Sequence, residues 1–244
     1  DAGASLTVTV TTNNGSLFPA GTVTVSPESG GTGVERTITM NPPDNQNGTA
    51  LVTVSVTDGS ESVSQQFTAT VTAVNDVPLL ATINDTTTNE DSPLELLLTA
   101  TDSDGDAVTF TALSSDMDNV STDISGTLLT LTPSLNFNGS VTISVTANDG
   151  TEDSNIETFT LTVSPVNDAP VLSAIADTTT QEEVAVELTL TATDVDGDAV
   201  TFTALSSDTD NVSTDISGTL LTLTPSLNFN GSVTISVTAN DGTE

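Results

Sequence analysis

Apolar and hydroxyl-bearing residues alternate with a period of two through most of this 244-residue chain. Alternation of this kind, in segments rich in Val and Thr, is typical of half-buried β-strands. In the first 74 residues it predicts strands near 6–12, 21–25, 37–40 and 50–56. Turn sequences such as Asn14-Gly15 and Asp58-Gly59 separate them. No segment shows the 3.6-residue period of an amphipathic helix, so we expect an all-β protein.

A unit of 92 residues repeats along the chain. The linker Val74-Asn75-Asp76-Val77-Pro78 returns as Val166-Asn167-Asp168-Ala169-Pro170, and 167 minus 75 is 92. The acidic loop 102–106 returns at 194–198 with the same offset. The stretch 107–152 differs from 199–244 only at Met117, which is Thr209 in the later copy. We therefore predict an incomplete module over 1–74, a complete module over 75–166, and a module over 167–244 that lacks its last strand.

The sequence of the complete module, residues 75–166, predicts seven strands. They lie near 79–84, 94–101, 107–113, 119–124, 127–132, 140–147 and 157–164. Short strands at this spacing favour an antiparallel β-sandwich. If an odd number of strands alternates in direction, the chain begins a module at one pole and leaves it at the other, so we expect modules arranged end to end in an elongated chain. The linker and the loops 102–106 and 148–151 then share the N-terminal pole. The loops 89–93, 115–119 and 134–139 share the C-terminal pole.

The charge of the chain limits its partners. The sequence has 34 acidic residues, one Lys or Arg (Arg36) and no His, which gives a formal net charge of −33. Nucleic acids and anionic membrane surfaces both require Lys and Arg, so neither is an expected partner. The absence of Cys excludes disulfides and Cys-ligated zinc sites. No apolar run reaches the length of a membrane span, so direct membrane insertion is not expected.

The acidic loops contain candidate metal ligands. Asp102, Asp104 and Asp106 occupy alternate positions around a glycine, and Asp194, Asp196 and Asp198 repeat them. Carboxylates at this density repel one another unless a cation lies between them, and hard oxygen ligands suit Ca²⁺. A solvated acidic turn is the alternative, since Asp and Gly are common turn residues. Recurrence at a fixed spacing, beside a recurring Asn-Asp linker, favours calcium.

Two further carboxylates belong to the same predicted pole. They are Asp149 and Asp241 of the Asn-Asp-Gly loops, which the strand count places beside the linker and the acidic loop. The acidic loop is unlike an EF-hand, because Ala107 stands at the sixth position where an EF-hand has Gly. Leu113 likewise stands at the twelfth position in place of Glu.

The recurring motifs resemble a known family. The Val-Asn-Asp-x-Pro linkers, the Asp-x-Asp-Gly-Asp loops, Asn-Phe-Asn-Gly (136–139, 228–231) and Asn-Asp-Gly are similar to bacterial cadherin-like tandem repeats of large surface adhesins. The resemblance implies cadherin-like sandwich modules with calcium between them. As ligands it implies Asn75, Asp76, Glu90, Asp102, Asp104, Asn167, Asp168, Asp194 and Asp196. Cadherins also have acidic ligands where this chain has Asn136 and Asn138, so we expect fewer ions per junction than in animal cadherins.

These observations predict a non-catalytic, calcium-rigidified extender of a large extracellular adhesin or cell-surface filament. Its expected partners are neighbouring repeats of the same chain, with lateral or end-to-end self-association as a further expectation. The alternative is a module that binds carbohydrate or ice through Thr-rich faces. The twist of sandwich sheets opposes a flat ice lattice, and the chain has no Trp or Tyr on which a sugar could stack. An enzyme is not expected, because every acidic cluster lies in a predicted turn and no His, Cys or Lys offers another mechanism.

Overall fold

The computed structural model describes residues 5–243. Every regular element in that range is a β-strand, which confirms the all-β fold. Nothing within these residues forms a helix long and apolar enough to cross a bilayer. The strands, in chain order, are β1 (Leu6–Thr12), β2 (Val23–Ser26), β3 (Ser29–Gly30), β4 (Thr37–Met40), β5 (Gly48–Thr57), β6 (Ser62–Val71), β7 (Leu79–Leu80), β8 (Thr86–Asn89), β9 (Leu94–Leu97), β10 (Ala100–Thr101), β11 (Thr109–Ser114), β12 (Val120–Ser125), β13 (Leu128–Pro133), β14 (Gly139–Asn148), β15 (Glu157–Ser164), β16 (Val171–Leu172), β17 (Val186–Thr189), β18 (Ala192–Thr193), β19 (Thr201–Ser206), β20 (Val212–Ser217), β21 (Leu220–Pro225) and β22 (Ile235–Asn240).

The chain forms two compact units. Unit 1 comprises Asp1–Thr82, Leu98–Thr111 and Val145–Glu157. Unit 2 comprises Ile83–Leu97, Ala112–Ser144 and Thr158–Glu244. The residues Asp1–Ala4 and Glu244 at the ends of these ranges, and of the predicted modules 1–74 and 167–244, lie outside the described residues.

The first sheet of unit 1 has the strand order β3-β1-β5-β6. Strands β5 and β6 pair antiparallel over ten residues, from Gly48 opposite Val71 to Thr57 opposite Ser62. Leu17, Phe18 and Ala50 are buried at the centre of a small core in this unit. Strand β6 was not among the four strands predicted for the first 74 residues. Its Gln65-Gln66 pair weakens the apolar signal, and the long antiparallel ladder with β5 determines it instead.

The outward-facing residues of this first sheet are uncharged. The β5 residues Thr49, Thr53, Ser55 and Thr57 alternate with the core-facing Ala50 and Val52, and they lie opposite Thr70, Gln66, Ser64 and Ser62 of β6. The amide of Gln66 donates a hydrogen bond of 2.9 Å to the hydroxyl of Thr53 across the two strands. This face therefore presents hydroxyls, amides and the side chain of Leu51, which is 38% exposed, to solvent without a carboxylate.

Unit 2 contains two three-stranded sheets that are built from corresponding strands of the two repeats. Their strand orders are β12-β13-β9 and β17-β21-β20. Thr130 of β13 lies between Asp123 of β12 and Glu95 of β9, so that each carboxylate flanks a hydroxyl. Thr222 of β21 lies in the same way between Asp215 and Glu187. Leu190 and Leu221 are 1% exposed and form the centre of a core beneath the second of these sheets.

The first strand of the predicted module 75–166 differs from its prediction. Of the predicted strand 79–84 only Leu79–Leu80 forms (β7), which pairs antiparallel with β10. The chain then forms β8, which pairs parallel with β15, from Thr86 opposite Leu161 to Asn89 opposite Ser164. Strict alternation of strand direction did not predict this parallel pair. The sequence Thr-Thr-Thr-Asn has no apolar alternation, so β8 depends on β15 to form.

The Asn-Phe-Asn-Gly motifs form turns that require glycine. Gly139 has a φ of +147°, and a Cβ built on it would lie 3.3 Å from the Cζ atom of Phe137. In the second copy the φ of Gly231 is +158° and the distance to the Cζ of Phe229 is 3.1 Å. The backbone conformation strains any L side chain there, and the phenylalanine ring would have to shift by a few tenths of an ångström to admit a Cβ.

We expect Gly139→Ala to lower the free energy of unfolding by about 1–3 kcal/mol, because the new methyl group meets the Phe137 ring on a backbone that L-residues rarely adopt. Urea denaturation measures the change. Gly15→Ala is the control, since no atom lies within 4 Å of its added Cβ and its φ is ordinary. A loss equal to that of the control would contradict the requirement for glycine.

Candidate metal centres

The acidic loop 102–106 is folded around one carboxylate. Asp102 accepts hydrogen bonds at Oδ1 from the main-chain N–H of Asp104 (2.9 Å) and of Asp106 (3.1 Å). The φ of Gly105 is +82°, which turns the chain so that the N–H of Asp106 also reaches Asp102. The other oxygen of Asp102, Oδ2, is buried and has no hydrogen-bond partner. One carboxylate oxygen of each of the three aspartates lies within 4.8 Å of the others.

This spacing fits a single cation. Calcium binds oxygen at about 2.3–2.6 Å, so two ligand oxygens on opposite sides of one ion are about 5 Å apart. The three oxygens of Asp102, Asp104 and Asp106 fall within that limit without rearrangement. The donor set contains only oxygen, which suits calcium and disfavours zinc.

The linker is attached to the same loop. The main-chain N–H of Asp76 donates to Oδ2 of Asp104 at 2.7 Å, and the Asn75 amide donates to Oδ2 of Asp149 at 2.8 Å. Oδ1 of Asp149 accepts the main-chain N–H groups of Thr151 and Glu152. The structure therefore brings together the residues predicted for the first centre, which we call the first cluster: Asn75, Asp76, Asp102, Asp104, Asp106 and Asp149.

The second copy repeats these contacts 92 residues later. The main-chain N–H of Asp168 donates to Oδ2 of Asp196 at 2.8 Å, and the Asn167 amide donates to Oδ2 of Asp241 at 2.8 Å. Oδ1 of Asp194 accepts the N–H of Asp198 at 3.1 Å. Together with Glu90 we call this group the second cluster: Glu90, Asn167, Asp168, Asp194, Asp196, Asp198 and Asp241.

Glu90 is the buried member of the second cluster. Its side chain is 2% exposed, and Oε1 accepts the main-chain N–H of Val166 at 2.6 Å. Its own N–H donates to the carbonyl of Ser164 at 2.9 Å, so the residue is held at two points next to the linker. Oε2 of Glu90 has no hydrogen-bond partner, and the same is true of Oδ2 in Asp168 and in Asp194. A buried carboxylate oxygen without a partner is costly, and a bound cation removes that cost.

The pKa of Asp168 lies above the ordinary value of an aspartate. Burial of its carboxyl group raises the pKa first, and the negative charges of Asp196, Asp91, Glu90 and Asp194 raise it further. The pKa of Asp149 is lowered instead, because the N–H of Glu152, the Asn75 amide and the N–H of Thr151 donate hydrogen bonds to its carboxylate. Burial and repulsion from neighbouring carboxylates therefore act together on Asp168.

In the calcium-free protein we expect Asp168 to titrate above, and Asp149 below, the ordinary aspartate pKa of 3.8. The stability contributed by Asp149 is present above its unfolded-state pKa and is lost as the pH falls through its lowered native pKa. The contribution of Asp168 has the opposite sign. It is complete below the unfolded-state pKa and decreases as the pH rises through the raised native pKa. Carboxyl chemical shifts followed by NMR in chelator test this, and equal midpoints for the two residues would contradict it.

Two acidic residues hold loops through hydrogen bonds that were not predicted from the sequence. Asp91 follows Glu90 in the loop after β8, and its Oδ1 accepts the main-chain N–H of Asn136 at 2.9 Å. Asp85 precedes β8 and accepts the N–H of Thr160 at 2.6 Å. An acid after the loop glutamate recurs as Glu183 in the later copy, and that recurrence was the available signal.

A family profile described as bacterial Ig domain matches residues 75–162 and 167–244. The chain belongs to the bacterial Ig domain family. Each matched segment of bacterial Ig domain begins at the linker asparagine, Asn75 or Asn167, and contains one acidic loop. No sequence among the curated proteins matches the chain.

Solved cadherin structures share the fold of these bacterial Ig domains. Mouse protocadherin-24 EC1-3 is 18% identical with a TM-score of 0.50, and the match covers 97% of this chain and 84% of that chain. PcdhgB3 EC1-4 is 14% identical with a TM-score of 0.54, and the match covers 96% and 62%. The likeness confirms tandem Ig-like and cadherin-like domains.

A looser likeness extends to the endo-fucoidan hydrolase MfFcnA4 from glycoside hydrolase family 107. It is 17% identical with a TM-score of 0.32, and the match covers 95% of this chain. The chain spans only 38% of the length of that hydrolase, and 37% of its H294Q variant.

Proposed function

We propose that this chain is a non-catalytic extender of a large extracellular adhesin or cell-surface filament, in which calcium ions rigidify the junctions between bacterial Ig domains. One observation carries the proposal. In the second cluster, Glu90, Asp168 and Asp194 each contain a buried carboxylate oxygen that lacks a hydrogen-bond partner. Ig-like and cadherin-like tandem domains suggest an extracellular module of the adhesion type, which agrees with this role.

Ca²⁺ is the proposed ion because its chemistry matches the oxygen atoms on offer. It takes six to eight oxygen ligands in flexible geometry, whereas Mg²⁺ demands a near-ideal octahedron and keeps several waters. In the second cluster the open oxygens of Glu90, Asp168 and Asp194 are the proposed first ligands. In the first cluster they are the grouped oxygens of Asp102, Asp104 and Asp106.

The proposed ion stiffens the chain because its ligands lie on both sides of a linker. Glu90 belongs to the loop after β8, Asp168 to the linker, and Asp194 to the loop that follows β18. An ion shared by these residues removes the freedom of the linker to rotate. The linkers are already short, and each ends in a proline, Pro78 or Pro170, whose φ is fixed.

Small-angle scattering tests the rigid junction. With Ca²⁺ in excess we expect the profile of a rigid particle with one well-defined maximum dimension. With chelator we expect a broader distance distribution and the normalised Kratky profile of flexibly linked domains. Glu90→Gln is the matched variant, since it keeps the size of the side chain and removes its charge. Profiles that are identical with and without calcium would refute the rigidifying role.

The uncharged face of β5 and β6 supports a second candidate function. A surface of Thr, Ser and Gln side chains around the exposed Leu51, without carboxylates, can accept hydrogen bonds from, and donate them to, a neutral polyhydroxylated ligand. The alternative is therefore a module that binds carbohydrate or ice through this face. A glycan array and an ice-recrystallisation assay, both with Thr53→Asp as the control variant, distinguish it from an extender that binds neither.

The same face bears on the partners of the chain. We propose neighbouring repeats of the same chain as the primary partners and lateral self-association as the secondary one. Two copies with a formal net charge of −33 each meet with least repulsion where neither carries carboxylates. Sedimentation velocity over a range of salt concentrations measures such association.

A further inference from the structure

We propose that Asp91 is a positioning residue for the second cluster, which holds Glu90 in place through the main chain of Asn136. This inference rests on the proposed calcium site and adds a residue to it. Asp91 follows Glu90 directly in the loop after β8. Its Oδ1 accepts the main-chain N–H of Asn136 at 2.9 Å across 45 residues of sequence.

The backbone at both ends of this bond is unusual. Asp91 has a φ of +59° and Asn136 has a φ of +57°, so both residues adopt the left-handed conformation. Asp and Asn tolerate that conformation better than most residues with side chains. The bond therefore joins two tight turns, the one after β8 and the one between β13 and β14, whose conformations are each restricted.

The position of Glu90 explains why such a bond matters. Its carboxylate is buried, and the negative charges of Asp91 and then of Glu90 both raise the pKa of Asp168. Without an ion, repulsion favours withdrawal of Glu90 from the cluster. The bond from the Glu90 N–H to the Ser164 carbonyl restrains the loop on one side, and the bond from the Asn136 N–H to Asp91 restrains it on the other. Calcium then finds the ligand already in place, which reduces the ordering cost of binding.

The hydrogen bond between Asn136 and Asp91 also gives the turn at 136–139 a role in the proposed site. That turn contributes a main-chain N–H to the loop after β8, so the side chain of Asn136 is needed only for its tolerance of a positive φ. Phe137 covers Gly139 and keeps the turn in shape, with 3.3 Å between the Phe137 Cζ and the position of an added Cβ.

Three variants of the full chain test the proposal by calorimetric titration with CaCl₂. Asp91→Gly keeps the tolerance of positive φ and removes the acceptor, so the second site should weaken roughly 10–100-fold, the range seen when outer partners of metal ligands are removed. Asp91→Asn keeps both the tolerance and an acceptor oxygen, so it should bind calcium within about threefold of the parent chain. Titration in about 1 M salt, where the Debye length is about 3 Å, limits the effect of the lost charge. Asn136→Gly should leave both sites unchanged.

The first cluster is the internal control, because it contains neither Glu90 nor Asp91, and its affinity should not change in any variant. Melting temperatures in chelator separate lost calcium affinity from general destabilisation. Equal losses in Asp91→Asn and Asp91→Gly would show that Asp91 acts through its charge or as a ligand, and would overturn the inference. Parent-like affinity in Asp91→Gly would overturn it too. A parent chain that binds no calcium would refute the proposed function itself.

Discussion

Calcium in excess over chelator is expected to raise the melting temperature of this chain by about 10 °C or more. A ligand at one hundred times its dissociation constant stabilises the native state by about 2.7 kcal/mol per site. For a domain of 60–100 residues, 1 kcal/mol shifts the melting temperature by about 4–8 °C. The physical source is the carboxyl group of Asp168, whose pKa is raised first by burial and then by the neighbouring negative charges, and a bound divalent cation offsets both effects. Differential scanning calorimetry with CaCl₂ and with chelator measures the shift.

Two controls separate specific calcium binding from general effects of added salt. NaCl at matched ionic strength separates specific binding from screening, because screening of exposed charges requires no particular ion. MgCl₂ tests selectivity, since magnesium does not readily exchange its waters for protein oxygens. An identical melting temperature in CaCl₂ and chelator would refute the calcium sites. A shift reproduced in full by NaCl would show that only screening is at work.

The second large effect is expected from a matched pair of substitutions, Asp102→Asn and Asp194→Asn. Each removes the charge of the aspartate that anchors one acidic loop and whose Oδ2 is buried without a partner. Two unit charges 4 Å apart interact by about 4 kcal/mol at an effective dielectric constant of 20. Since 1.4 kcal/mol is a factor of ten in affinity, we expect each site to weaken by at least roughly a hundredfold. Asp102→Asn should affect only the first cluster, and Asp194→Asn only the second.

Titration calorimetry reads both sites in one experiment. The parent chain should bind with two distinguishable affinities, the tighter one at the second cluster, which contains three buried carboxylate oxygens without a hydrogen-bond partner where the first cluster contains one. Asp123→Asn is the control, because it removes an exposed aspartate of β12 that belongs to neither cluster. Loss of both sites in either variant, or of neither, would contradict the assignment of one acidic loop to each centre.

Much of the fold could be predicted from the sequence because most strands carry their own signal. The predicted strand 157–164 is β15 to the residue, and 140–147 lies within β14. The exceptions are strands determined by their partners. Residues 231–240 repeat the sequence of 139–148, yet β22 begins only at Ile235 whereas β14 begins at Gly139. No strand corresponding to β15 pairs with β22 among residues 5–243, so an identical local sequence gives a shorter strand.

The candidate metal ligands could likewise be predicted from the sequence where they have a local pattern of their own. Acidic residues at alternate positions, repeated at a fixed offset, marked Asp102, Asp104 and Asp106 from the sequence alone. Glu90 was implied only by the family resemblance, since one glutamate in a turn has no distinctive pattern. Asp91 could not be assigned a role, because its function depends on a main-chain donor 45 residues away. Contacts between distant loops are decided by tertiary structure, which local sequence does not encode.

The parallel pairing of β8 with β15 determines how the chain responds to tension. A pull on the two ends of the chain moves Thr86 and Ser164, at opposite ends of this ladder, in opposite directions along the strands. The force then shears all four residue pairs together, whereas an antiparallel pair pulled at one end separates one pair at a time. The Asp85 carboxylate, just before β8, accepts the N–H of Thr160, and the Glu90 carboxylate, just after β8, accepts the N–H of Val166. Side-chain hydrogen bonds therefore hold both ends of the sheared segment. In an extender of the kind proposed above, this pair of strands would resist the load as one unit.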